Sequence, residues 1–181
     1  MKNSTKFRFS LKQIFGLMLL TFFTMGCEKN ANPTTYEWSA TIDGVNYDYS
    51  MPSSTPTDQG KCHMANPTTS TISSSIVLCD ESGYPAITFS STTPLVVGTY
   101  TFNAQSNPQN NVGIARSSPQ SFPDVFSTMY PNAQITLNIT SVGAVGGVVE
   151  GNFSGSIGKA VPPSSITYVN MSGTFKAYIQ N

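Results

Sequence analysis

Across 181 residues the chain sets nine basic against nine acidic side chains, with 39% hydrophobic residues and 10% charged. Apolar content of that order supports a packed core and excludes a disordered tail. The even balance lacks the basic footprint that nucleic acid requires, so no nucleic-acid partner is expected.

The charge is unevenly placed. Lys2, Lys6, Arg8 and Lys12 precede an apolar run from Ile14 to Phe23, and small residues follow. These are the parts of a secretory signal. A membrane-spanning helix needs about 20 apolar residues, and the stretch from Ile14 to Gly26 falls short of it. Residues 1–26 are therefore expected to be a signal peptide, residues 27–35 a tether and residues 36–181 a single β domain. Without the signal, Lys29, Lys61, Arg116, Lys159 and Lys176 stand against nine acidic residues, and five minus nine leaves a charge of −4. The domain is mildly acidic and offers no basic patch for anionic lipid.

The end of the signal, Thr24-Met25-Gly26-Cys27, resembles the lipobox of bacterial lipoproteins, in looser form. Thr24 stands where leucine is usual, and Met25 where a small residue is usual. The resemblance implies that the Cys27 sulfur is acylated and that Cys27 becomes the mature N-terminus, anchoring the protein in the membrane. Glu28-Lys29 is similar to the export signal of some Bacteroidetes-type lipoproteins. An outer-membrane location follows from the resemblance, facing periplasm or cell surface. Glu28 to Thr35, extended at about 3.3–3.6 Å per residue, reach roughly 25–30 Å.

With Cys27 used for lipid, Cys62 and Cys79 remain as an even pair in an oxidising compartment. A disulfide between them is expected; two buried thiols are the alternative.

Tyr36, Trp38, Ala40 and Ile42 alternate with polar residues, as do Val45, Tyr47, Tyr49 and Met51 after Asp43-Gly44. Asp-Gly is a strong two-residue hairpin signal, because both central positions need positive φ. The turn pairs Ile42 with Val45, Ala40 with Tyr47, Trp38 with Tyr49 and Tyr36 with Met51, all on one face. An aromatic cluster can serve as a glycan platform, but this is the only apolar face the hairpin owns, so it belongs to the core. Residues 52–60 read as a loop. Lys61–Ala65 and Ile72–Cys79 form a second hairpin, in a register that sets Cys62 opposite Cys79 and Met64 opposite Val77. Ala86–Phe89 and Leu95–Phe102 are further strands.

Residues 103–131 are less regular. Val112–Ala115 suggests a strand, and Phe122, Phe126 and Tyr130 recur at spacing four. With Ser121 as N-cap and Pro123 in the first turn, a short helix is expected. Its aromatic face would be a plug closing the β domain or a ligand lid. Ile135–Ile139, Val149–Ile157 and Ile166–Ile179 alternate as strands. The whole reads as all-β: an antiparallel sandwich or a lipocalin-like barrel, with one short helix in a long loop.

Val149-x-Gly151-x-Phe153-Ser154-Gly155 followed by Val169-x-Met171-x-Gly173-x-Phe175 is similar to the ending of uncharacterised Bacteroidetes-type lipoprotein domains. Ala40-Thr41-Ile42-Asp43-Gly44 and Gly98-Thr99-Tyr100 resemble their other recurring pieces. The likeness implies an anchored β fold and brings no activity with it.

Chemistry-bearing residues are sparse. The single histidine, His63, points away from Cys62 on a strand, and no serine sits in a Gly-x-Ser-x-Gly elbow. Cys62, His63, Cys79 and Asp80 fit no standard zinc spacing, so no metal and no cofactor is expected. Asp43, Asp48, Asp124 and Glu150 supply carboxylates without any sequence reason to pair them across a cleft. The expectation is a non-enzymatic binding or accessory lipoprotein for a glycan, peptide or protein partner. The rivals are a lipocalin-like carrier of a small apolar ligand and a hydrolase.

Overall fold

A computed structural model describes residues 35–52, 62–65, 74–80, 83–105, 110–118, 121–161 and 165–180. Eleven strands run β1 Thr35–Ile42, β2 Val45–Pro52, β3 Cys62–Ala65, β4 Ser74–Leu78, β5 Ala86–Ser91, β6 Gly98–Asn103, β7 Asn111–Ser118, β8 Ser121–Ser127, β9 Gln134–Val142, β10 Val148–Val161 and β11 Ser165–Ile179. They belong to one unit, Pro33–Asn181. The signal peptide, Cys27 and the tether as far as Thr34 lie outside the described residues.

The β10–β11 hairpin is the seam on which the rest hangs. At 14 and 15 residues, its strands are long enough to carry two neighbours on one edge. Strand β11 pairs β1 over Met171–Lys176 and then β3, in parallel, at Tyr178 and Ile179. Strand β10 pairs β9 over Val149–Ser156 and then β8 at Gly158. The ladder β11-β3-β4-β5-β7-β8-β10 returns to β11 and closes a ring. Strands β10 and β11 also take part in a continuous six-stranded layer, β2-β1-β11-β10-β9-β6. The architecture is thus all-β, with two layers, a barrel-like closed ring and this six-stranded sheet, that share β10 and β11.

The interior is filled by side chains. Phe89 of β5 meets Phe102 of β6 at 6.0 Å between ring centroids, and Phe153 of β10 at 5.3 Å, contacts between strands that are not ladder neighbours. Trp38 is only 2% exposed, and its Nε1 donates to the Cys79 carbonyl at 3.1 Å. Burying a ring of that size while satisfying its one donor is what makes Trp38 a core residue. The first hairpin has the expected register, residue for residue. Asp43 and Gly44 take φ of 54° and 75°, the conformation that the Asp-Gly pair favours.

Four expectations are corrected. Residues 121–127 form strand β8, and a turn follows; there is no helix among the described residues. A spacing of four is also twice the strand period, so Phe122 and Phe126 share a strand face as readily as a helix face. Pro123 falls where the β7–β8 register shifts between Arg116 and Ser118, a place that tolerates a missing N–H.

The β3–β4 register is one residue away from expectation: Cys62 pairs with Leu78 and Met64 with Ile76. A one-residue slip would turn half-buried Val77 toward the core and move Ile76 and Leu78 out, and the buried alternation of both strands forbids it. The expected disulfide is absent with it: no disulfide joins Cys62 and Cys79, and both are buried. Finally, the strand expected from Leu95 begins at Gly98. Leu95 is buried in the preceding segment, its N–H donating to Ser74 Oγ at 3.0 Å.

Candidate functional site

The sequence-expected site residues do not converge. Phe126 is a buried core residue, with the Arg116 guanidinium and the Lys159 ammonium 5.6 and 5.7 Å from its ring centroid. Tyr130 lies half-buried in the turn beyond β8, its side chain beside Gly158, where an added Cβ would come within 2.9 Å of Tyr130 Cβ and 3.0 Å of its ring. The Phe122 side chain lies outside the described ones. His63 sits on β3 opposite Val77 and beside Tyr178. Asp80 organises its own turn, its Oδ1 accepting from the Tyr84 N–H at 3.0 Å. No group of side chains suited to hold a metal ion occurs among the described residues.

Cys62 is wedged where β1 parts from β11 and β3 takes its place. Its Sγ lies 3.6 Å from the Lys176 carbonyl and 3.9 Å from that of Glu37. Burial, with smaller contributions from Cys79 and Glu37, pushes the thiol up to about 12. That is the environment of an inert structural thiol, since nucleophilic cysteines are held low.

What the fold does assemble is the outer face of the six-stranded layer. Alternation sends Trp38, Phe153 and Phe175 inward and leaves small polar residues outside. In paired order, one row runs Asn46, Thr41, Ser172, Ser154, Thr136 and Thr101 from β2 to β6. The next runs Asp48, Ser39, Thr174, Asn152, Asn138 and Thr99. All twelve are exposed or half-buried, and all but Asp48 carry a hydroxyl or an amide. Neighbours along a row lie about 4.7–4.9 Å apart, and successive rows roughly 6.5–7 Å apart.

A third row adds charge. Lys176 lies between Glu37 on β1 and Glu150 on β10, and its Nζ is 3.5 Å from Glu150 Oε1. An open depression of about 640 Å³ spans the second and third rows, with Trp38 and Phe175 among its lining and Tyr49 at its β2 side. Two shallower depressions of about 490 and 530 Å³ continue it along β1 and β11, sharing first Ser39 and Thr174, then Thr41 and Ser172. The surface is held in place by its own hydrogen bonds: Ser39 and Thr174 hydroxyls at 3.1 Å, and Thr41 Oγ1 donating to Asn46 Oδ1 at 2.7 Å.

Chemically, this face offers both donors and acceptors at regular spacing, because each hydroxyl and amide supplies both. Glu37 and Glu150 are two carboxylates with one lysine between them, which pairs with Glu150, and no nucleophile–base pair accompanies them among the described residues. Every residue of the rows occupies a polar alternate position visible in the sequence. The signal was present in each strand; the order of the strands was not. No protein-family model matches this chain, and neither a curated protein nor a solved structure does.

Proposed function

We propose that this is an exported lipoprotein, held at the outer membrane by an acylated Cys27, that acts without catalysis as a binding or accessory protein for an extended, hydroxyl-rich glycan. The observation that carries the reading is the pair of polar rows across six strands, hydroxyls and amides at every place but Asp48, whose β2, β1, β11 and β10 part lies in a run of open depressions. Polyhydroxylated chains exchange hydrogen bonds with such groups, and ordered water bridges the gaps. The filled interior weighs against a carrier of apolar ligands, which needs a cavity. Glu37 and Glu150 are separated by Lys176, which pairs with Glu150, and this arrangement weighs against the open carboxylate pair of a glycoside hydrolase.

Calorimetric titration of the mature protein with a panel of soluble polysaccharides tests the reading. At least one glycan is expected to bind, and a Ser172→Arg/Thr174→Arg variant should lose that binding while melting as the wild type does. A panel that never binds, or binding untouched by the double variant, defeats the proposal. Acylation is tested separately, by mass spectrometry of the membrane fraction: an unmodified mature protein, or one still beginning at Met1, defeats the anchor.

A further inference from the structure

Among the described strands, the six-stranded layer ends at two edges, β2 and β6, and they are treated differently. Strand β6 is short, six residues opening at Gly98. Its preceding segment is tied back to it, the Tyr100 hydroxyl bonding both the N–H and the carbonyl of Val96 at 2.8 Å. Strand β2 has eight residues in full register with β1, without a bulge, and its one charged side chain is Asp48. Proline occurs only at its last position, Pro52. Sheet edges are ordinarily blunted by charge, proline, bulges or shortness, because an unblunted edge is a template for another strand.

The hairpin geometry states which groups β2 presents. The two-residue turn makes Ile42 and Val45 a hydrogen-bonded pair, so Tyr47 and Tyr49 also direct their backbone groups at β1. The N–H and C=O of Asn46, Asp48 and Ser50 therefore point away from the sheet. On the inner side of this edge Val45 is 47% exposed, and Tyr47 and Tyr49 are only partly buried against the core. An added strand would cover these three side chains and extend the outer rows by one place. Its outward side chain would lie beside Asp48, on a rim where Glu37 adds negative charge and Lys176 is already held by Glu150. A second copy of the chain paired about Asp48 would set two carboxylates directly opposite one another, which is unfavourable.

We propose that the free edge of β2 accepts an extended peptide segment of a partner protein as an additional strand. That segment has apolar side chains facing Val45, Tyr47 and Tyr49, and a basic side chain opposite Asp48. Backbone pairing supplies the affinity, and the alternation of apolar and basic residues supplies the choice.

The test is fluorescence anisotropy of a labelled, end-capped peptide, Thr-Val-Lys-Val-Lys-Val-Thr, with the mature protein. The peptide is expected to bind, its counterpart N-methylated at alternate residues is not, and the version with glutamate for lysine should bind about fivefold more weakly, the weight of one cross-strand charge pair. Asp48→Lys should invert the preference between the lysine and glutamate peptides. Asp48→Pro removes an N–H that β1 does not use, so it should abolish binding while the hairpin persists; Ser50→Pro blocks the same edge from a second position if Asp48→Pro fails to fold. Equal binding of the N-methylated peptide, binding that survives both proline variants, or no binding at all overturns the proposal. So does a concentration-dependent dimer that Asp48→Pro dissolves, since the edge would then belong to a second copy.

Discussion

The inner and outer faces of the six-stranded layer are made by the same strands and differ in nearly every physical respect. Inward, bulk is fitted against its absence: Phe175 pairs with Gly151, and Phe153 with Gly173, so each ring lies over a glycine on the neighbouring strand. A Cβ on Gly173 would come within 2.5 Å of Phe153 Cζ, and one on Gly151 within 2.7 Å of Phe175 Cζ. Outward, no residue of the two central rows is larger than asparagine or aspartate, and their bonds to one another are exposed. One face resists any change of volume. The other tolerates exchange of single groups and depends on their repetition. Stability and recognition are thereby assigned to alternate residues of one set of strands.

That contrast can be broken at several points, beginning with the inner face. Trp38→Ala removes a buried ring and leaves the Cys79 carbonyl without its donor. It should cost about 3–5 kcal/mol in urea unfolding. Gly173→Ala has no room and should cost about 1–3 kcal/mol by the same measurement. A smaller loss would mean that both the Ser39 carbonyl, the nearest atom to the added methyl, and the Phe153 ring yield.

The Cys62 thiol gives a pH-dependent loss. Its pKa is raised from 9.0 to about 12 in the folded protein, mainly by burial, so unfolding releases its proton more readily above pH 9. Its contribution is complete below about pH 9 and is lost as pH rises toward 12. At pH 10 this amounts to about 1 kcal/mol, and Cys62→Ala should flatten that part of the profile. Unchanged slopes in the two proteins would place the thiol in contact with water. The outer face should give the smallest effects. Thr174→Ala should stay within about 0.5 kcal/mol, and Lys176→Ala within about 1 kcal/mol, shrinking in salt. A large loss from either would show that the outer rows carry stability as well as ligand.

The parts of the fold that were legible in the sequence are those governed by neighbours in the chain. The first hairpin was readable because Asp43-Gly44 sets both the turn and the register, and the long C-terminal strands because their alternation is unbroken. Residues 121–130 were misread because an aromatic spacing of four satisfies both periods, and Pro123 suited a helix start as well as a bulge. The Cys62–Cys79 pairing was misplaced by one residue because two cysteines on adjacent strands suggest a register, while the burial of Ile76 and Leu78 decides it.

By itself, then, the sequence determined the alternation of each strand, the turn at Asp43-Gly44 and the segregation of Ser, Thr and Asn from the core residues, because all of these depend on local geometry and on apolar burial. Only the tertiary structure decided that β10 and β11 are shared by both layers, that β3 joins β11 in parallel, and that polar positions far apart in the chain, from Asn46 to Ser172, fall into common rows. Strand order and register across long separations are set by how whole faces pack, and no short stretch of sequence contains that information.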